Sequence, residues 1–498
     1  MAGHGDADSM SEIRAGAVLN YLNLGLRIGV PLVLTPYILA VLGPAEYGLY
    51  MLASTLLVRL YLSDLGRTTG TKYLSEYRAR GDAAGEARFL GLLAGLYSLA
   101  GALLLALGLA VYPFLGDIFP KFTESELGLY RVLYLMTLVN AALMFPGRSL
   151  AGIADSRQKF AVPGLIALGA GVLNAVGTWL LLEWGWRSVG LVAFNIATGV
   201  LALVLNMLYC FVGLKARLSL RGAWDATLCR SLFAFSWWML LNQLINMLNA
   251  GTGNYLVAMT LGADAAAVYT CGLQIYANYF LLGGCLAQLF LPRVVGLVVR
   301  GASPAVQTEA MARLGRVQLA ILLPVALVLL FYGRQFFELW VGDKLGQQAQ
   351  LSWLIAIALI VPQTFSLVQA LGWQISQARN ALRQRVAIMA FNSVLFVVVS
   401  YFVCSSWGIA AQAVWAAVSI LLQLVMLNVI HYRSLGLSPV RFYARTFAGW
   451  YSRCAILLPA AWGIGALIPP TGWWSLAARI ASFALLYALV CRFTRATR

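Results

Sequence analysis

Apolar stretches of about 20 residues, each long enough to cross a bilayer core, recur along the whole chain between short polar loops. The pattern predicts an all-α, polytopic membrane protein with about fourteen transmembrane helices. Six fall near 15–41, 48–70, 89–112, 128–150, 161–183 and 188–213. Six more fall near 232–260, 266–291, 314–332, 351–373, 386–406 and 408–430, and two near 447–468 and 475–491. The polar gaps hold at most roughly 20 residues, too few to enclose a core of their own.

The loops alternate in charge. Segments 71–88, 148–159, 214–230, 292–316, 374–385, 431–446 and 492–498 hold roughly 25 Lys and Arg residues, as cytoplasmic loops do. The alternate loops hold about five: Lys121, Arg131, Arg187, Arg334 and Lys344. Both termini are then expected to be cytoplasmic, with an even number of spans. Trp184, Trp186, Trp340, Trp407, Trp473 and Trp474 fall at outer span ends, where interfacial aromatics belong.

The chain also repeats itself. Leu42-Gly43 followed by Tyr50 recurs as Leu261-Gly262 followed by Tyr269, and Arg80-Gly81 as Arg300-Gly301. Tyr112 matches Tyr332, Ile153 and Arg157 match Ile375 and Arg379, and Asn174 matches Asn392. An ordered series at a nearly constant offset implies two copies of a six-span unit in one orientation, a transporter architecture. The expected organisation is a cytoplasmic tail 1–14, an N-lobe 15–213 and an inter-lobe loop 214–231. A C-lobe 232–430, two further spans within 431–491 and a tail 492–498 complete it.

Composition agrees. The 498 residues are 61% hydrophobic and 11% charged, against about 25% charged for soluble domains. The net charge of +17 is spread over alternate loops, which argues against a nucleic-acid partner. Seven cysteines show no CxxC spacing and mostly lie in or beside apolar spans, so packing is their expected role. The start MAGHGDADSMSEIR lacks a basic region and a cleavage site and reads as a tail, not a signal peptide. No GxxxxGK[ST] phosphate loop is present. His4 and His431 are isolated and terminal or loop-placed, so no metal or other cofactor is expected. Gly91 and Gly95 form a GxxxG whose expected meaning is close helix packing.

The chemistry lies inside the spans. Arg27 and Arg59 sit near span centres, roughly 16–18 Å from one end at the helical rise. A cation there costs roughly 2.5–3.5 kcal/mol and points to a protein-lined site. Asn20, Asn23 and Arg27 share one face of span 1, and Thr55, Arg59 and Ser63 one face of span 2. At an offset of 219, Asn23 and Arg27 become Asn242 and Asn246, and Thr55 and Arg59 become Gln274 and Asn278. Asn242, Asn246, Asn249 and Gly253 make a stripe on span 7, and Gln274, Asn278 and Cys285 follow one face of span 8. One reading makes these groups helix-to-helix glue. The other makes them a cavity with a cationic wall for phosphate and an amide wall for sugar hydroxyls. Asp64 is the clear intramembrane acid, either paired with Arg67 at i+3 or a site of ion coupling. Pro31 and Pro36 are expected to kink or break span 1.

The stretch LTPYILAVLGPAEYGLY, with YLSDLGRTTGTKYLSEYRARGD after it, resembles the oligosaccharide flippases of bacterial polysaccharide biosynthesis. These share a superfamily with multidrug and toxin extruders and lipid II flippases. The resemblance covers nearly the whole chain. It implies alternating-access transfer of an isoprenoid-diphosphate-linked oligosaccharide from the cytoplasmic to the outer leaflet of the inner membrane. Relatives carry cations on the first two helices that are thought to hold the diphosphate, and Arg27 and Arg59 match that placement. Lipid II flippases have a further cation in the second lobe, where this chain has Asn246 and Asn278. The last two spans look like the helices that border a lipid-tail groove in relatives. The expected partners are the lipid-linked oligosaccharide, membrane lipids and other polysaccharide assembly proteins, with a monomer as the simplest state. The alternatives are a multidrug/cation antiporter, disfavoured by fourteen spans and a cationic cavity, and a membrane glycosyltransferase or polymerase. Short outer loops without an acidic motif weigh against any enzyme.

Overall fold

The computed structural model describes residues 2–60, 65–221, 224, 230, 237, 241–242, 244–245, 251–288, 296, 300–379 and 382–496. Every regular element among them is a helix. Among the described residues, eight helical runs are long and apolar enough to cross a membrane. One of these, Arg383–Arg433, turns at Gly408, whose φ of 77° an L side chain resists. That break falls between the expected spans 386–406 and 408–430. The protein is a multi-pass membrane protein.

The chain forms two compact units, Met1–Met247 and Leu248–Arg498, with the boundary inside the expected seventh span. In the first, Ala2–Leu42 packs on Ala161–Glu183, and Pro44–Leu60 on Glu124–Met144. Leu65–Ala79 packs on Arg148–Ser156. In the second, Ala349–Leu367 is central and touches Ala263–Gln288, Pro304–Leu345 and Leu382–Arg433. Gly272 permits one of these crossings, because a Cβ there would lie 2.7 Å from the Ser352 carbonyl. The added helices Tyr451–Leu467 and Trp473–Ala496 pack on each other and on Pro304–Leu345.

The repeat is visible in backbone and side chains alike. Gly43 and Gly262 have φ of 79° and 95°, and Gly81 and Gly301 have 71° and 69°. Each of the latter pair is followed by a helix cap, Asp82 accepting from the Gly85 amide and Ser303 from the Val306 amide. Arg157 donates to the Leu214 carbonyl and Arg379 to the Leu435 carbonyl. Asn174 donates to Thr198 at 3.0 Å, as Asn392 does to Ser419. Matches that look weak singly in sequence are the same structural joints made twice.

Two local expectations change. The first helix starts at Ala2 rather than near residue 15, and the supposed tail residue Glu12 bonds Lys159 Nζ at 3.0 Å. Pro31 and Pro36 lie within an unbroken helix. Pro31 removes the backbone donor due to the Arg27 carbonyl, a loss a membrane helix tolerates where neighbouring groups compensate.

Candidate functional site

Helix Ala2–Leu42 carries Asn20, Asn23 and Arg27. Asn20 and Arg27 are exposed in the first unit, and Arg27 has no ion pair or hydrogen bond among the described residues. Asn23 is half-buried and committed: its amide donates to the Leu19 carbonyl at 2.9 Å and to the Gly164 carbonyl at 3.1 Å. It therefore also joins helix Ala2–Leu42 to helix Ala161–Glu183. On Pro44–Leu60, Thr55 is half-buried and bonds back to the Met51 carbonyl at 2.5 Å. The side chains of Arg59 and Arg67, and all of Asp64, lie outside the described residues.

The amide positions divide. Asn242 is 8% exposed and its Oδ1 has no partner among the described residues. Gln274 and Asn278 are half-buried on Ala263–Gln288, and Asn278 Nδ2 is unpartnered among the described residues. Asn246 and Asn249 lie outside them. Buried amides normally find partners in protein or water; Asn242 in the first unit keeps an open acceptor and Asn278 in the second an open donor, each suited to a polar group. Further polar groups on nearby helices were not foreseen. Tyr276 donates to Gln363 Oε1 at 3.2 Å, Tyr279 meets Thr364 Oγ1 at 2.7 Å, and Thr270 donates to Asn254 Oδ1 at 3.1 Å. Tyr276 and Tyr279 lie off the inspected face, and Gln363 and Thr364 on a helix that carried no such stripe; Thr270 shares the face of Gln274 and Asn278 at four-residue spacing, and the same signal could have found it.

The end opposite the basic loops holds an ion pair in the first unit. Glu46 Oε2 accepts from Arg187 Nε at 2.8 Å and Nη2 at 2.5 Å. Its Oε1 accepts from the Ser188 amide at 3.0 Å and hydroxyl at 2.7 Å. Burial raises the Glu46 pKa, but the bonds from Arg187 and Ser188 outweigh it and hold the carboxyl below its ordinary value. Stability from this contact is thus present above the ordinary carboxylate range and lost as pH falls through the lowered value. Purified protein is expected to lose thermal stability on acidification below about pH 4. Glu46→Gln should flatten that loss; an unchanged acid profile would remove Glu46 from its cause.

Arg479 is the other residue the sequence reading passed over. It is 7% exposed on the last helix. Its Nε donates to the Ile468 carbonyl at 2.9 Å, Nη1 to Gln335 Oε1 at 2.9 Å and Nη2 to the Gly465 carbonyl at 2.8 Å. All three guanidinium nitrogens donate to the protein, so the group locks structure and is no anion site. Of the described cysteines, Cys210, Cys271 and Cys404 are buried, while Cys285, Cys454 and Cys491 are half-buried.

A family model described as "Polysaccharide biosynthesis protein" matches residues 131–350. No match is found among curated protein sequences. A solved structure of the lipid II flippase MurJ, in an inward closed conformation, superposes with a TM-score of 0.74 at 13% identity, covering 97% of this chain and 99% of that one. An inward-facing multidrug resistance transporter of the MATE family and MOP superfamily gives 0.56 at 13% identity, covering 84% and 96%. A variant of the Vibrio cholerae MATE transporter VcmN gives 0.57 at 14% identity, covering 86% and 99%. The chain thus has the fold of the lipid II flippase and of the multidrug transporters of that superfamily, and its middle matches polysaccharide biosynthesis proteins.

Proposed function

We propose that this protein is a flippase that carries an isoprenoid-diphosphate-linked oligosaccharide across the cytoplasmic membrane, by alternating access, for cell-surface polysaccharide biosynthesis. The observation that carries the reading is Arg27, a cation within a membrane-crossing helix, exposed and without a partner among the described residues. Such a group calls for an anion that is not part of the described chain. The polysaccharide family match over 131–350 and the lipid II flippase fold support the substrate class.

Roles follow from the chemistry. Arg27 and Arg59 bind the diphosphate oxygens in bidentate, charge-assisted contacts. The amide positions Asn20, Asn242, Asn246, Asn249, Gln274 and Asn278 hydrogen-bond glycan hydroxyls, and Asn23 and Thr55, whose donors are spent within the chain, do so through their oxygens as acceptors. Asn242 and Asn278 keep open polar atoms for this. The basic loops face the cytoplasm, with both termini on that side. One chain is the working unit.

The second reading is multidrug/cation antiport, favoured by the MATE-family fold matches. The deciding experiment locates the lipid-linked oligosaccharide in cells lacking the protein. Build-up on the cytoplasmic leaflet, cleared by the restored protein, supports the flippase. An unchanged location together with drug sensitivity supports the antiporter. Asp64→Asn separates the readings further: a flippase in which Asp64 is only a structural partner of Arg67 should keep transport, whereas an antiporter that couples an ion at Asp64 should stop.

A further inference from the structure

His431 is one of two histidines in the chain, with His4. It was expected in a loop, but it sits on the last turn of helix Leu382–Arg433 and is 3% exposed. Its ring rests on Gly372, where a Cβ would lie 2.5 Å from Cε1 and 2.7 Å from Nε2. Neither Nδ1 nor Nε2 has a hydrogen-bond partner among the described residues. The crevice around it is lined by Thr308, Met311, Gln369, Leu437, Ser438 and Phe442 and leaves no room for a water molecule. The polar neighbours are already used. Gln369 Nε2 donates to Asn428 at 2.5 Å, and Thr308 Oγ1 donates to the Pro304 carbonyl at 2.8 Å and accepts from the Ser438 amide at 3.3 Å.

The other repeat fills the same place differently. The Leu437 amide donates to the His431 carbonyl at 2.9 Å, and the Ala216 amide to the Cys210 carbonyl at 3.0 Å. Donors and acceptors are both 221 positions apart, since 437 − 216 and 431 − 210 agree. Cys210 is buried, and its thiol is satisfied by the Leu150 carbonyl at 3.7 Å. This joint of the fold therefore needs only a small buried side chain. An imidazole with two open nitrogens is an addition to it, and buried polar groups are seldom left open without a use.

We propose that His431 is a proton-binding site that couples the docking of segment 437–447 to pH at the basic end of the membrane body. A proton is a ligand that needs no volume: it comes from water and takes the lone pair of one ring nitrogen, and no other bond changes. The charged groups on the packed elements leave the resulting cation uncompensated. On the other arm of the hairpin that turns at Gly408, Arg385 acts on the imidazole through space, lies 4.8 Å over the Trp373 ring and, among the described residues, has an unpartnered Nε. On Pro304–Leu345, Glu309 is paired with Arg445 of Pro439–Phe447. Arg379, beyond the Leu371–Ala378 helix, is spent on the Leu435 carbonyl at 2.7 Å. The titratable Tyr443 hydroxyl faces Gln369 and Asn428.

The neutral ring thus favours the closed crevice, in which Phe442 and Thr446 are buried. The protonated ring, a second cation near Arg385, favours an arrangement that lets water in. This reading does not depend on what the protein carries.

The test uses the full-length protein in lipid nanodiscs. Imidazole ¹⁵N NMR of His4→Gln protein, in which His431 is the remaining histidine, reads its protonation between about pH 7.5 and about pH 4, because burial and Arg385 oppose charging of the ring. Hydrogen exchange of 437–447, corrected for intrinsic rates, reads docking across the same range. The expected result is a neutral ring that becomes charged and exchange that rises about tenfold on acidification. In His431→Cys, the residue of the other repeat, exchange should stay slow at both ends; His431→Gln serves if the thiol variant misfolds. A ring that keeps one protonation state, a docking segment indifferent to pH, or the same rise in the substituted proteins would overturn the proposal.

Discussion

Replacing Arg27 and Arg59 together by glutamine is expected to abolish export while leaving the protein inserted and folded. Each arginine costs roughly 2.5–3.5 kcal/mol at mid-membrane, and glutamine is cheaper there, so insertion should not suffer. Binding should suffer, because hydrogen bonds to charged groups contribute about 1.5–3 kcal/mol each. Losing two such contacts to a diphosphate lowers affinity by about 10²- to 10⁴-fold. The measurement is the leaflet distribution of the lipid-linked glycan at matched expression. Export at the wild-type rate would move the anion site elsewhere. Arg27→Gln alone should give an intermediate loss, because in the proposed site the two cations share one dianionic group.

Arg479→Leu is expected to be the most destabilising single substitution outside that site. It leaves the Gly465 and Ile468 carbonyls and Gln335 Oε1 without their donor. Buried acceptors left open cost about 1–3 kcal/mol each, partly offset by no longer burying the guanidinium, so a net loss of about 2–4 kcal/mol follows. Gln335 adds to the lock by donating to the Gly472 carbonyl at 3.1 Å and Ser475 Oγ at 2.8 Å. The weakened part is the attachment of the last two helices to Pro304–Leu345. Thermal unfolding in detergent reads the loss, and Arg479→Lys should not rescue it, because an ammonium cannot serve three acceptors with a planar fork. A thermal midpoint equal to wild type would mean that these bonds contribute nothing.

Much of the fold was legible because lipid leaves few options. Each span must satisfy its own backbone, so apolar length and loop charge report helices directly. The repeat was legible because its matched residues do geometric work: Gly81 and Gly301 turn the chain, and Arg157 and Arg379 tie it back. The candidate site was legible only in kind. A face of Asn20, Asn23 and Arg27 can be counted from helical spacing, but spacing cannot tell that Asn23 spends its amide on Gly164. His431 and Arg479 escaped for the same reason. Burial of a polar group at a helix end depends on distant neighbours, here Gly372 and Gln335, that no local pattern announces.

The hairpin turns at Gly43, Gly185, Gly346 and Gly408 all use positive φ, and each links its helices through only a few residues. In each unit taken by itself they lie at the end opposite that unit's basic loops. These turns therefore offer an antibody, a protease or a docking protein little polypeptide to grip. In the proposed flippase, a cargo released past such short turns would have the lipid bilayer as its next neighbour, and whatever collects it would approach sideways through the membrane plane.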